Sequence, residues 1–194
     1  MGPEPRVRQE DPVPYRGRFA PSPTGELHFG SLIAAMSSYL DARAHAGTWI
    51  LRVEDLDRQR EIPGAADTLL RTLEGFGFEW DGRVVRQSQR TDAYALAVQT
   101  LRRQGLVYPC GCSRREIAAA ATRGPEGPVY PGTCRRGMPP GRRGRSLRIH
   151  VDGGIVALDD GIQGRLEQDI RQAVGDFIIR RADGIHAYQL AVVI

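Results

Sequence analysis

The sequence predicts an α/β fold built on a doubly wound parallel sheet, with an insert. Three observations carry that expectation. Strand-like and helix-like segments alternate three times between Tyr15 and Gly105, the pattern that lays strands parallel with helices between them. Polar and charged residues gather at the carboxyl ends of two of those strands, where open α/β sheets bind ligands. The alternation then breaks at Tyr108 into a stretch rich in Gly and Pro that holds all three cysteines.

Each element has its own signal. Tyr15 to Ala20 reads as the first strand, ending in the turn residues Pro21, Ser22, Pro23, Thr24 and Gly25. A helix is expected from about His28 to Ala46, because Leu32, Ile33, Met36, Tyr39 and Leu40 recur at helical spacing. Gly47 is placed as its stop. Thr48 to Val53, TWILRV, is dense in β-formers and reads as a buried parallel strand. Glu54, Asp55 and Asp57 stand at its end. Pro63 opens a helix over Gly64 to Phe76. Val84 and Val85 mark a short third strand before Gln87 and Ser88. Tyr94, Leu96, Val98 and Leu101 give an amphipathic helix over Thr91 to Gln104. Beyond the insert, Leu147 to Val151, Ile155 to Leu158 and Val174 to Arg180 are expected as strands, and the β-branched end of His186 to Ile194 as one more.

These signals divide the chain into a tail over 1–14, a first half of the catalytic sheet over 15–107, and an arginine-rich metal-binding insert over 108–146. Residues 147–194 are expected to finish the insert and begin a second half of the sheet. No apolar run approaches the roughly 20 residues of a membrane span, and MGPEPRVRQEDPVPY carries no secretory stretch. A cytoplasmic monomer without membrane contact is the expectation. All 27 basic residues are arginine, so no lysine can serve catalysis. Eleven arginines but only two acids, Glu116 and Glu126, lie between Arg102 and Arg148. Such a patch suits a phosphate backbone as well as it suits plain solvation.

The stretch RFAPSPTGELHFGS, Arg18 to Ser31, is the candidate ligand cradle. A helix N-terminus offers unpaired N–H groups and a partial positive charge to phosphate. The dipole alone gives about 0.3–2 kcal/mol for an anion, so side chains must add to it. His28 can donate from the helix mouth, and Gly30 permits a close nucleotide approach. In the insert, Cys110, Cys112 and Cys134 have a spacing that can hold one zinc ion. A structural zinc takes four ligands, which leaves His150, Tyr130 or water for the fourth place.

Taken together, RFAPSPTG, LHFGS, LRVEDLD and QSQR resemble the catalytic domain of class I glutamyl-tRNA synthetases. HFGS stands where that class has its His-Ile-Gly-His signature, with Ser31 in place of the last histidine. The segments YPCGCSRREI, YPGTC and VGDFIIRRADGIHAYQLAVV narrow the likeness to a short paralogous branch, the glutamyl-queuosine tRNA(Asp) synthetases. The resemblance runs from about Tyr15 to Ile194. It implies a class I synthetase-like Rossmann fold and a ligase-type reaction. ATP, with Mg²⁺, and L-glutamate would form glutamyl-adenylate without tRNA. The glutamyl group would then pass to queuosine at the wobble position of tRNA(Asp).

The same resemblance assigns residues. Arg18, Phe19, Ala20, Pro21, Ser22, Glu54 and Tyr188 would bind glutamate, with Glu54 on its ammonium. His28 and Gly30 would act on the α-phosphate, and His28, Gly30 and Ser31 would bind ATP. Cys110, Cys112, Tyr130 and Cys134 would hold one structural Zn²⁺ per chain, which moves the fourth ligand from His150 to Tyr130. Members of the family continue past AYQLAVV into a second glutamate-binding arginine and a loop that closes over ATP, so the chain reads as a C-terminally shortened member with part of the far sheet absent. Two other functions fit the residues: a catalytic fragment of an ordinary glutamyl-tRNA synthetase, and an inactive zinc- and RNA-binding module.

Overall fold

The computed structural model describes residues 14–125 and 127–194. The tail expected over 1–14 lies outside the described residues apart from Pro14, and so does Glu126. The chain forms two compact units, Met1–Gln89 and Arg90–Ile194.

In the first unit, β1 (Arg16–Phe19), α1 (Phe29–Ala44), β2 (Thr48–Val53), α2 (Ala65–Gly75) and β3 (Val85–Arg86) follow one another. The three strands form a parallel sheet in the order β1-β2-β3. A 3-10 turn over Gln87–Arg90 follows β3. The core sits between sheet and helices. Trp49 is fully buried and stacks on Phe78, while the ring of Tyr39 meets both of them edge-on.

The apolar residues whose spacing predicts α1 divide between core and solvent: Leu32 and Tyr39 pack against the buried cluster. Ala35 and Ala42 are fully buried, whereas Ile33, Met36 and Leu40 are 44–56% exposed. The reason is close approach. A Cβ on Gly17 of β1 would lie 2.9 Å from the Ser38 carbonyl oxygen and 3.0 Å from the Ala42 Cβ. The helix therefore rests on its small residues, and the aromatic side chains of the sheet fill the remaining space.

Gly47 also differs from its expected role. The left-handed residue after α1 is Ala46, at φ 48°, and the Gly47 N–H bonds back to the Ala42 carbonyl at 2.8 Å. What Gly47 supplies is room: a Cβ there would stand 2.4 Å from the Tyr15 carbonyl oxygen. Gly47→Ala is expected to cost about 2 kcal/mol of stability, the size of an overpacking penalty. A lowered urea midpoint with unchanged m-value would report it.

The second unit contains α3 (Thr91–Arg103), β4 (Val107–Cys110), α4 (Arg114–Ala120), β5 (Arg123–Gly124), β6 (Gly127–Pro128), β7 (Ser146–Ile149), β8 (Ile155–Asp160), β9 (Gly164–Asp169), α5 (Ile170–Ala173), β10 (Ile178–Arg180) and α6 (Tyr188–Ala191). An antiparallel sheet runs β10-β7-β4, and β5-β6 and β8-β9 are two-stranded ladders. The cysteine stretch is thus anchored on a sheet, with Cys110 paired to Ser146. Ser113 caps α4 through a reciprocal capping box with Glu116.

Two expected strands are corrected. His186 to Ile194 contains the helical turn α6. Ala187, Leu190 and Ala191 are its buried residues, an i, i+3, i+4 set that suits a helix and not a strand. Of Val174 to Arg180, only Ile178–Arg180 is strand. Asp169 caps the short α5 just before it, and Gly175 takes φ 72° to turn the chain out of that helix. Among the described residues no helix is long and apolar enough to cross a membrane.

Candidate functional site

The first candidate site lies in the first unit, at the carboxyl end of β1. A cavity of about 580 Å³ opens there, lined by Phe19, Ala20, Pro21 and Ser22 on one side and by His28, Gly30 and Ser31 on the other. Thr24 to Leu27 close its floor. Pro21 and Pro23 fix the loop to the next elements, because their carbonyls accept from Glu54 N at 2.9 Å and from Ile62 N at 3.0 Å.

His28 is the N-cap of α1. Its backbone is extended, and its Nδ1 accepts from the Ser31 N–H at 3.2 Å. Its Nε2 lies 3.2 Å from the Ser31 hydroxyl. A neutral imidazole that accepts at Nδ1 carries its proton at Nε2, so Nε2 is the donor and the Ser31 hydroxyl its acceptor. Gly30 has a second role besides letting a ligand approach. A Cβ there would sit 3.1 Å from His28 Cε1, so glycine lets the ring fold over the first turn. Phe29, by contrast, is 78% exposed and points away from the core.

Glu54 leaves the end of β2 almost buried. One carboxylate oxygen accepts from Arg52 at 2.8 Å and from the Gln87 amide at 3.5 Å. An ion pair with side chains only 7% and 12% exposed is a fixed fixture, and it holds the acid in one place beside the loop. Asp55 does a structural job: it is buried and accepts from Ser88 N and Oγ at 2.8 and 2.7 Å. Asp57 pairs with Arg60. Arg18 is exposed on β1, on the strand face opposite Gly17 and Phe19. Tyr188 belongs to the second unit, where it opens α6 with 62% of its surface exposed.

The second candidate site is the cysteine cluster of the second unit. The sulfurs of Cys110, Cys112 and Cys134 all lie within 4.8 Å of one another. The Tyr130 hydroxyl is 3.4 Å from Cys110 Sγ and 3.7 Å from Cys112 Sγ, and it accepts from Cys134 N at 2.9 Å. His150 is elsewhere, with its ring against Tyr108 at 4.5 Å. A tetrahedral zinc with bonds of about 2.3 Å to sulfur and 2.1 Å to oxygen sets its sulfurs roughly 3.8 Å apart and a sulfur–oxygen edge near 3.6 Å. The Cys112–Cys134 separation of 3.7 Å and the two phenol contacts match that shape, so the donor set fits the ion.

Two arginines stand behind the cluster. Arg148 is buried, donates from Nε to Cys110 Sγ at 3.4 Å, and lies 3.7 Å above the Tyr130 ring centroid. Arg142 donates to Cys112 Sγ at 3.4 Å. Burial opposes ionisation of Cys110. Hydrogen bonds from Tyr130, from the Cys112 backbone and from Arg148 outweigh it and bring the thiol down to about 7. Burial pushes the Tyr130 hydroxyl well up, so a bound cation would have to displace its proton.

Comparison with known proteins now decides the family. The model of the catalytic domain of class I tRNA synthetases (E and Q) matches residues 14–194. The chain belongs to the class I tRNA synthetases of the E and Q type. It is 59% identical over 183 residues to the glutamyl-Q tRNA(Asp) synthetase of Dechloromonas aromatica (strain RCB), covering 93% of this chain and 61% of that protein. It is also 59% identical over 180 residues to the protein of the same name from Chromobacterium violaceum, covering 93% and 60%. The chain thus spans about three-fifths of the length of these curated relatives. Among solved structures it is similar to a glutamate tRNA ligase from Elizabethkingia meningosepticum CCUG26117 in complex with its amino acid. That match has TM-score 0.74 and 26% identity over 92% of this chain and 40% of that one. A glutamate-tRNA synthetase from Elizabethkingia anophelis gives TM-score 0.75 at 26% identity, over 93% and 42%.

Within this class I fold, several residues that shape the sites gave no individual signal in the sequence. Arg52, Gln87, Arg142 and Arg148 act through the acid and the thiols they touch, and nothing local marks them. Asp176 is a further case. Its carboxylate, 4% exposed, accepts from the Tyr108 hydroxyl at 2.6 Å, from Val151 N at 2.8 Å and from Arg135. Burial works against its ionisation, yet those three donors hold the carboxyl below its usual range. A lowered carboxyl pKa contributes stability above the unfolded value of about 3.9 and loses it as pH falls through the folded value. Asp176→Asn is therefore expected to cost about 3 kcal/mol near neutral pH. Urea melts should show the difference from the parent closing below about pH 4.

Proposed function

We propose that the cradle formed by Phe19–Ser22 and His28–Ser31 activates glutamate with ATP, without tRNA, as glutamyl-adenylate. The glutamyl group then passes to the queuosine base at the wobble position of tRNA(Asp). The observation that carries this reading is His28 capping α1 at the lining of a 580 Å³ cavity, with Nε2 as its donor, resting 3.2 Å from the Ser31 hydroxyl, a partner that a phosphate oxygen would replace. A phosphate placed there meets a helix N-terminus and a directed imidazole together.

The chemistry asks little covalent work of the protein. A glutamate α-carboxylate oxygen attacks the α-phosphorus of ATP, which arrives with Mg²⁺, and pyrophosphate leaves in line. His28 donates to the α-phosphate oxygen as charge gathers there, while Gly30 and Ser31 border the nucleotide. Glu54 takes the substrate ammonium with the carboxylate oxygen that Arg52 and Gln87 leave available. Arg18 and Ser22 supply donors for the carboxylates. In the second step a hydroxyl of the queuosine cyclopentenediol attacks the activated carbonyl, and AMP leaves. The second unit would hold one Zn²⁺ on Cys110, Cys112, Tyr130 and Cys134. When bound, that ion supplies folding energy to the surrounding stretch.

ATP–pyrophosphate exchange on a protein carrying this chain tests the proposal. Exchange that depends on glutamate and proceeds without tRNA is the expected result. Exchange that begins only when tRNA(Glu) is added would favour an ordinary glutamyl-tRNA synthetase instead.

A further inference from the structure

Cys110, Cys112 and Cys134 are alike as metal donors but not as thiols. Cys110 and Cys134 are 0% and 2% exposed, whereas Cys112 is only partly buried. Cys112 also lines a cavity of about 330 Å³, with Gly111, Ser113 and Arg145 among its neighbours there. A small solute in that cavity meets Cys112 before either of the other two sulfurs.

The backbone separates the three further. Cys110 ends β4, where it pairs with Ser146. Its carbonyl accepts from Arg145 N at 3.0 Å and from the Ser146 hydroxyl at 3.2 Å. Its sulfur is engaged from two sides, by the Tyr130 hydroxyl and by Arg148 Nε, each at 3.4 Å. Cys112 lies in the short link between β4 and α4, outside any strand ladder. Cys134 lies in a turn over 133–136, bounded by Gly132 and Gly137, both at positive φ.

The sulfurs of Cys112 and Cys134 are 3.7 Å apart. A disulfide holds its sulfurs about 2.05 Å apart, so this pair needs to close by only about 1.7 Å. Rotation of two side chains and a small shift of the turn supply that movement. Closing Cys110 on Cys112 would instead strain a ring across one intervening residue and pull Cys110 out of its ladder.

We propose that Cys112 and Cys134 form a redox modification site, in which a hydroperoxide oxidises Cys112 and Cys134 closes on it as a disulfide. The Cys112 thiolate attacks one oxygen of hydrogen peroxide. The O–O bond breaks, hydroxide leaves, and Cys112 becomes a sulfenic acid. The Cys134 thiolate then attacks that sulfur; the S–O bond breaks, a second hydroxide leaves, and the S–S bond forms. The two thiolates give up two electrons and the peroxide takes them, while two protons from solvent convert the hydroxides to water. With the pair joined, Cys110 and Tyr130 are all that is left of the four donors, too few for a structural zinc. A dithiol reverses the modification by exchange. The pairing of the two sulfurs rests on the fold alone, and the loss of metal rests on the reading of the cluster as a zinc site.

The test is peptide mapping of a protein that carries this chain, after brief exposure to hydrogen peroxide and blocking of free thiols with iodoacetamide. Trypsin places Cys110 and Cys112 in one peptide, residues 104–114, and Cys134 in another, residues 124–135. Fragmentation should show the two peptides joined through Cys112, with Cys110 carrying the alkyl group. Free zinc should rise by about one equivalent for each disulfide formed. Dithiothreitol should restore both thiols and, with added zinc, the original metal content. A link through Cys110 would overturn the proposal. So would oxidation of Cys112 to sulfinic acid with no link, or a disulfide between two copies of the chain on a non-reducing gel. Metal content, measured on the same samples before oxidation, keeps the two readings apart. A protein that held no zinc yet forms the Cys112–Cys134 link sinks only the zinc assignment, and a zinc-loaded protein that forms no link sinks only the redox site.

Discussion

Cys134→Ser is expected to leave the protein with less than about half an equivalent of zinc and with an unfolded stretch between Tyr108 and Arg145. The packing explains the size of the effect. Tyr108, Cys110, Tyr130 and Cys134 form one small buried cluster, with Cys112, Ile117 and Met138 packed against it. It holds three thiols and two phenols where a larger core would hold hydrocarbon, so on the proposed reading a bound ion would do what burial does elsewhere. Apparent binding energies of ~10–16 kcal/mol for structural zinc exceed what a few partly buried side chains can contribute. Arg142 and Arg148 add to this, because a site of four anionic ligands around a divalent ion keeps excess negative charge, and each arginine donates to one of its sulfurs. Metal analysis after gel filtration, with limited proteolysis of the loop, reads the outcome. Tyr130→Phe is the sharper variant, since it keeps the ring under Arg148 and removes only the hydroxyl. It should weaken zinc retention against a chelator by at least about tenfold. Unchanged retention would mean that the phenol is not a ligand.

The second large effect belongs to His28. His28→Ala is expected to lower the turnover of glutamate-dependent exchange by about 10²–10³-fold, with little change in the KM for glutamate. That magnitude is the loss of one directed donor at a developing charge, roughly 2.7–4 kcal/mol. The helix terminus alone, worth about 0.3–2 kcal/mol, does not replace it. Because His28 also caps α1, the alanine variant should cost about 1 kcal/mol of stability. His28→Asn separates the two roles: asparagine caps well but carries its amide short of the imidazole Nε2. Normal thermal stability with turnover as poor as that of the alanine variant is expected. Ser31→Ala should cost much less, because it keeps the backbone N–H that His28 Nδ1 accepts and loses only the hydroxyl.

How far the sequence alone reached depends on the kind of signal. TWILRV is β2 to the residue, because β-branched and aromatic residues with a turn on either side leave little choice. The loop between β1 and α1 was legible because prolines and glycines break both strand and helix patterns. Side-chain partnerships were not legible. Nothing near Glu54 announces that Arg52 and Gln87 will fix it, since one lies two residues back on the strand and the other comes from a separate turn. The apolar spacing gave the helix α1 but not its buried face: the fully buried positions are the small Ala35 and Ala42, which close on Gly17, with Leu32 and Tyr39 packed beside them and Ile33, Met36 and Leu40 exposed. The end of the chain was misread because β-branched Val192, Val193 and Ile194 suggest a strand, while the buried positions in α6 follow helical spacing. Tyr130 illustrates a third limit. Four-residue spacing from Cys134 fits many local structures, and only the fold brings its hydroxyl onto the sulfurs.

The central claim is that this chain belongs to an enzyme that places activated glutamate on queuosine. Transfer of radiolabelled glutamate, from ATP and glutamate, to tRNA(Asp) that carries queuosine tests it most directly, with the unmodified tRNA(Asp) transcript and tRNA(Glu) alongside. A protein carrying these residues should label only the queuosine-containing tRNA(Asp), and removal of the 3′-terminal adenosine should not prevent labelling. Label on tRNA(Glu), abolished by that removal, would contradict the account.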